Sequence, residues 1–159
     1  MKTVMKKMAA IVLVGATVLS LAACSKKNKA LTAAEFTTKL EAEGFTVEDK
    51  GVDAETGATM TEATKDGVTA DLGVFADKDT AKELFNQTKS TMDALAELSK
   101  QMGQEMKVST SSNKITMEGG ADGYSVIILA DNTIVTVAAE PGTDENISAA
   151  KSVLKALGY

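Results

Sequence analysis

The period of the apolar positions changes several times between residues 31 and 159, and each change marks an element. Ala33, Phe36, Thr37 and Leu40 fall on one helical face. Thr32 and Glu35 have the spacing of a capping box and Leu31 and Phe36 that of a hydrophobic staple, so a helix starts here, and Gly44-Phe45 stops it. The polar segment from Phe45 to Ala58, with two glycines, reads as one short strand and a loop. Thr59 to Ala76 reads as a hairpin: Asp66-Gly67 is a two-residue turn signal, and Val68, Ala70, Leu72 and Val74 alternate with Thr69, Asp71 and Gly73. A long helix opens at Asp77-Lys78-Asp79, carries Ala81, Leu84, Phe85, Thr88, Met92, Leu95 and Met102 at three- and four-residue steps, and ends at Gly103.

Strand patterns return at Met106–Ser111, Lys114–Glu118, Tyr124–Ala130 and Thr133–Glu140, with Asp131-Asn132 as the last tight turn and 119–123 as a looser one. Pro141-Gly142 breaks the final strand, and a closing helix places Ile147, Ala150, Leu154 and Leu157 on one face. The order α-β-β-β-α-β-β-β-β-α, with short hairpins, predicts an α+β fold: an antiparallel sheet of about six to seven strands and three helices, packed mainly on one face. Val68, Leu72, Val74, Val126, Ile128, Val135 and Val137 are expected to pack against Leu84, Phe85, Met92, Leu154 and Leu157. Val68–Phe85 and Thr133–Leu154 are loosely alike, each a strand, an acidic turn and a helix, as a degenerate duplication would leave them; Gly44-Phe45 and Gly158-Tyr159 also end helices alike, which shared helix-stop chemistry explains equally well.

Ahead of the domain the pattern is of another kind. Lys2, Lys6 and Lys7 precede 16 uncharged residues, Met8 to Ala23, rich in Ala, Val, Leu and Ile. That run is short for a bilayer span of roughly 20 residues and has the layout of a secretory signal. It ends Leu21-Ala22-Ala23-Cys24, which closely resembles the bacterial lipobox. The resemblance implies cleavage before Cys24 and a diacylglyceryl group on its sulfur. Ordinary cleavage after Ala22, an uncleaved anchor and a chance core cysteine are the alternatives. Cys24 is the chain's one cysteine, so it forms no internal disulfide, and the lipobox gives it a reason to be present. The expected organisation is a signal peptide over 1–23, a lipidated Cys24 with a short basic linker over 24–31, and one domain over 32–159. Two acyl chains hold where one is marginal. Lys26, Lys27 and Lys29 suit anionic headgroups and equally suit a solvated linker, whose seven residues from Ser25 to Leu31 reach at most about 25 Å. With the lipobox, the capped helix ending Gly-Phe and the final Leu157-Gly158-Tyr159, the chain resembles small uncharacterised lipoproteins of Gram-positive anaerobes. That resemblance transfers no activity, cofactor or site residue.

Composition narrows the chemistry. The chain's 17 basic residues are all Lys, and it has no Arg, His or Trp. The usual zinc, copper and haem ligand sets are therefore missing, as are His-activated nucleophiles and bidentate phosphate forks. Six Lys lie within the first 29 residues, leaving 11 Lys against 22 Asp and Glu beyond, a charge of −11. A domain so acidic repels nucleic-acid phosphate.

The remaining candidates are outweighed by plainer roles. Asp77, Asp79 and Glu83 could ligate calcium, but an EF-hand glycine and glutamate are missing, and capping the long helix accounts for them. Glu118 and Asp122 could pair as catalytic carboxyls, but a hairpin tip rarely gives the burial that work needs. Gly119, Gly120 and Gly123 are followed by no Lys in place and no helix, so they make no phosphate loop. Met102 and Met106 hint at copper(I) but are expected in packing. Lys65, Lys114 and the hydroxyls of Ser109, Thr110, Ser111 and Ser112 lack the spacing of a Ser-Lys nucleophile. The expectation is a membrane-anchored extracytoplasmic lipoprotein, a non-enzymatic binding or interaction module with no catalytic, cofactor or metal residues. Its partners would be the membrane, through the anchor, and a protein or envelope polymer. A solute-capture accessory protein and a carboxylate-dependent enzyme are the alternatives.

Overall fold

The computed structural model describes residues 28–103, 106–119 and 123–159. The signal segment, Cys24, Lys26 and Lys27, and Asp122 lie outside the described residues. The elements are α1 (Ala33–Ala42), β1 (Thr46–Val52), β2 (Thr59–Lys65), β3 (Val68–Val74), α2 (Lys78–Gln101), β4 (Lys107–Thr110), β5 (Lys114–Glu118), β6 (Tyr124–Ala130), β7 (Thr133–Ala139) and α3 (Asp144–Leu157). The strands form one seven-stranded antiparallel sheet in the order β1-β2-β3-β7-β6-β5-β4. This is the α+β order that the sequence pattern predicts.

Local chemistry sets the boundaries. At the start of α1 the Glu35 N–H donates to Thr32 Oγ1 at 3.1 Å and the Thr32 N–H donates to Glu35 Oε2 at 3.0 Å, a closed capping box. The Thr32 amide, then the Lys29 ammonium and the Thr32 hydroxyl, pull the Glu35 carboxyl down from the usual 4.5 to about 2. A lowered folded pKa means the box stabilises the fold above the ordinary carboxylate range and loses that contribution as pH falls towards 2. Glu35→Gln should therefore flatten the acid limb of the unfolding profile, and a carboxyl NMR titration of Glu35 should run well below free glutamate. A midpoint near 4.5 would show that the box is open in solution. In the β2–β3 turn, Asp66 and Gly67 have φ of +44° and +78°, the positive pair a two-residue hairpin turn needs. The expected short strand after Phe45 is the seven-residue β1, polar because it is an edge strand, with a bulge between Asp49 and Gly51.

The helices divide between the two faces of the sheet. Phe36 and Leu40 of α1 and Ala150, Val153, Leu154 and Leu157 of α3 pack on the face presenting Val68, Ala70, Leu72, Val126, Ile128, Val135 and Val137. On the opposite face Ala81 and Leu84 of α2 pack with Met60, Phe75, Leu129 and Ile134. Leu84, Phe85 and Met92 therefore do not meet the valine face, and that expectation is corrected. The physical reason is that β6 and β7 carry Ile127, Leu129 and Ile134 at the opposite parity, so both of their faces require cover. The loosely similar β3–α2 and β7–α3 segments place their helices on opposite faces. A rotation normal to the sheet therefore does not relate them.

The helix directions follow from the strand pairing. α2 leaves the sheet after Val74 and leads to Lys107, which pairs with Glu118, itself the partner of Tyr124. It thus runs from the Val74 end of the sheet to the Val68 end. α1 runs the same way, because Thr46 after it joins the Thr64–Thr69–Ala138 row. Lys29, whose carbonyl accepts from the Tyr159 hydroxyl at 2.9 Å, therefore sits at the Val74 end. The 24 residues of α2 extend about 36 Å; the helix crosses β7, β6 and β4, and Ser99 in its last turn is still buried.

Candidate functional site

A cleft of about 370 Å³ opens on the α2 face. Its floor is Gly73, Ile127, Ile134 and Thr136 from the central strands, one wall is Leu84 and Thr88 of α2, and the other is Asp53, Glu55 and Thr56 of the loop after β1. Gly73 keeps the floor open, since a Cβ there would stand 3.2 Å from Met60 Sδ and 3.3 Å from the Phe75 ring.

Asp71 is the charged group set into the sheet beside this floor. It lies opposite Glu62 on β2 and Thr136 on β7, and Glu48 of β1 lies opposite Glu62, so three carboxylates line up across adjacent strands. Burial, and then the charge of Glu62, push the Asp71 carboxyl above its usual range, with Lys50 opposing. Lys50 is already committed to Glu48 at 2.7 Å and Glu62 at 2.8 Å. Asp53 is held the other way. Its Oδ1 accepts from Thr56 N at 2.8 Å, Thr56 Oγ1 at 2.7 Å and Glu55 N at 3.2 Å, and these bonds pull its carboxyl below the ordinary range. Such a cleft suits a ligand with an apolar body and a cationic edge.

A second hollow of about 250 Å³ lies between α3 and the β2–β3 hairpin, lined by Phe45, Lys65, Asp66, Glu145 and Asn146 among others. Its polar groups serve the fold. Lys65 Nζ donates to the Glu43 carbonyl at the end of α1 at 2.6 Å and stands 5.8 Å from the Phe45 ring centre.

The candidates read from sequence do not gather in the cleft. Asp77 caps α2, accepting from Asp79 N at 2.9 Å and Thr80 N at 2.8 Å. Glu118 ends β5 opposite Lys107 and Tyr124. Met102, expected in packing, is 59% exposed at the C-cap of α2. Lys114 opens β5, exposed, and Ser109 lies on β4, so neither reaches Lys65. Among the described residues no group of acidic, His or Cys side chains is placed to hold a metal ion, and no helix is long and apolar enough to cross a membrane. Sequence reasoning missed Asp71 because it occupies a polar position of an alternating strand, which reads as solvent-facing. The available signal was the unbroken apolar run Val126-Ile127-Ile128-Leu129, which asks for cover on both faces of the sheet.

No family model matches the chain, and no curated protein matches it. Among solved structures, the crystal structure of the extracellular domain of PknH from Mycobacterium tuberculosis is similar at a TM-score of 0.44 and 13% identity, over 80% of this chain and 91% of that one. A likeness that distant carries no residue role across.

Proposed function

We propose that this protein is a lipid-anchored extracytoplasmic binding module: Cys24 carries the diacylglyceryl group, and the domain acts by contact, without turnover. The observation that supports anchoring is Leu21-Ala22-Ala23-Cys24 at the end of the uncharged run. The cleft supports contact, because aliphatic side chains and carboxylates dominate its lining and its best-bonded acid, Asp53, is spent on a turn. The domain works close to the membrane, since the linker is short.

Cys24→Ser tests the anchor. The expected product is an uncleaved or shed protein that no longer enters the detergent phase and takes up no labelled palmitate. Normal cleavage and wild-type partitioning of the variant would refute lipidation.

One observation favours a second reading, a carboxylate-dependent enzyme. Asp71 and Asp53 bound the same cleft with their carboxyls displaced in opposite directions, the arrangement that separates an acid from a base. The three bonds to Asp53 Oδ1 argue for a structural role instead. Hydrolysis of an envelope glycan that disappears in Asp71→Asn would establish the enzyme and overturn the binding module.

A further inference from the structure

The identity of the cleft's occupant is written in two surfaces that meet there. The exposed large apolar side chains among the described residues are Val52, Leu95, Leu98 and Met102, and the last three, at 42%, 48% and 59% exposure, belong to α2 and its C-cap. They follow Leu84, Thr88 and Thr91 at alternating four- and three-residue steps, a seam of the kind that accepts another helix by knobs into holes. Leu84 and Thr88 at the start of that seam are a wall of the cleft. The seam therefore begins at the cleft and continues, uncovered, along the outer side of α2 towards its C-terminus, while Ser99 on the same turns stays buried. Across the cleft stand carboxylates: Asp53, Glu55 and Asp71, with Glu62 next to Asp71. One long side is thus aliphatic and the other anionic.

Building on the binding-module reading, we propose that this groove docks an amphipathic helix of a partner protein, its apolar stripe against the α2 seam and its Lys or Arg residues towards Asp71 and Glu55. Charge decides between occupants. A second copy would bring an equally acidic domain, of charge −11 over residues 30–159, whose net repulsion opposes its docking beside Asp71. The lipid surface is at the wrong end. Cys24 lies five residues before Lys29, within about 18 Å of the Val74 end, whereas Leu95, Leu98 and Met102 lie on the part of α2 that leads to the Val68 end. A helix is preferred to an extended segment because the seam repeats at helical and not strand spacing.

The test titrates the full chain, in nanodiscs of zwitterionic lipid with empty discs as blank, with two 18-residue helical peptides. Both carry Leu at alternating three- and four-residue steps; one is flanked by Lys and the other by Glu. The Lys peptide is expected to bind at least about ten-fold tighter than the Glu peptide. The double variant Leu95→Ser/Leu98→Ser should weaken it about ten-fold, and Asp71→Asn about three-fold with a shallower salt dependence. Both leucines are exposed, so the double variant should melt like the wild type. Equal binding of the two peptides, binding indifferent to the double variant, or no binding at all would overturn the proposal. So would a wild-type dimer that the double variant dissolves, which would assign the seam to self-association. Failure here leaves the palmitate labelling of Cys24 untouched, so it is distinguishable from failure of the anchor.

Discussion

Phe36→Ala is expected to lower the unfolding free energy by about 3–5 kcal/mol, the range for emptying a buried aromatic site. Phe36 is fully buried on the fourth residue of α1, where the Thr32 cap and the Leu31 staple fix its direction. It belongs to the cluster in which α1 and α3 close over β3, β6 and β7. Truncation leaves a cavity roofed by two helices and floored by a sheet, and neither collapses easily. Urea unfolding followed by circular dichroism measures the loss. Leu154→Ala, in the same cluster, should cost about 2–5 kcal/mol, whereas Leu84→Ala should cost about 1 kcal/mol, because Leu84 lines the open cleft. Equal losses at Leu84 and Leu154 would contradict the assignment of α2 to the other face.

Gly123→Ala should be nearly as damaging, for a backbone reason. Gly123 has φ +73°, which costs a side-chain-bearing residue about 1–3 kcal/mol where the surroundings impose it. The space is also taken: a Cβ would run into the Ala139 carbonyl oxygen and stand 2.7 Å from Gly142 N and 2.8 Å from Gly142 Cα. Those atoms are main chain, so relief requires moving the exit of β7 away from the entry of β6, across ladder bonds that set the sheet's register. The expected loss is about 3 kcal/mol or more, with Gly103→Ala as the control. Gly103 has φ +70° but nothing within 4 Å of its Cβ position, so it should lose only the conformational part. If the two substitutions cost the same, the close backbone approach at Gly123 does not exist in solution.

The seven strands, three helices and their order were legible because each is announced by short-range chemistry. The Thr32–Glu35 box, the Asp66-Gly67 turn and the Asp77 cap act within a few residues, and a period of two or 3.6 survives without tertiary context. The expected extracytoplasmic address rests on the same kind of signal, a local motif at Cys24. Other features were hidden. The periodicity of α2 points it at the valine face because it says that the helix has an apolar side and not which surface meets it. Helical spacing puts Met102 in packing because it does not reveal which side of a 24-residue helix the fold leaves uncovered, Ser99 being buried and Leu98 and Met102 exposed.

The candidate site belongs almost wholly to the second category. Asp53, Asp71, Leu84, Ile127 and Ile134 come from five separate stretches of chain, and none carries a signal of its neighbours. They are brought together by the β3–β7 pairing, Val68 with Ala139 through Val74 with Thr133, which joins the two meanders at the centre of the sheet. The sequence by itself determined the elements, their boundaries and the expected lipid address, since these depend on contacts a few residues apart. Tertiary structure decided which faces are covered, where the acidic row meets the apolar helix and what is left open. Those outcomes depend on pairings some 65 residues apart, whose closure is set by the burial of the whole sheet rather than by any local preference.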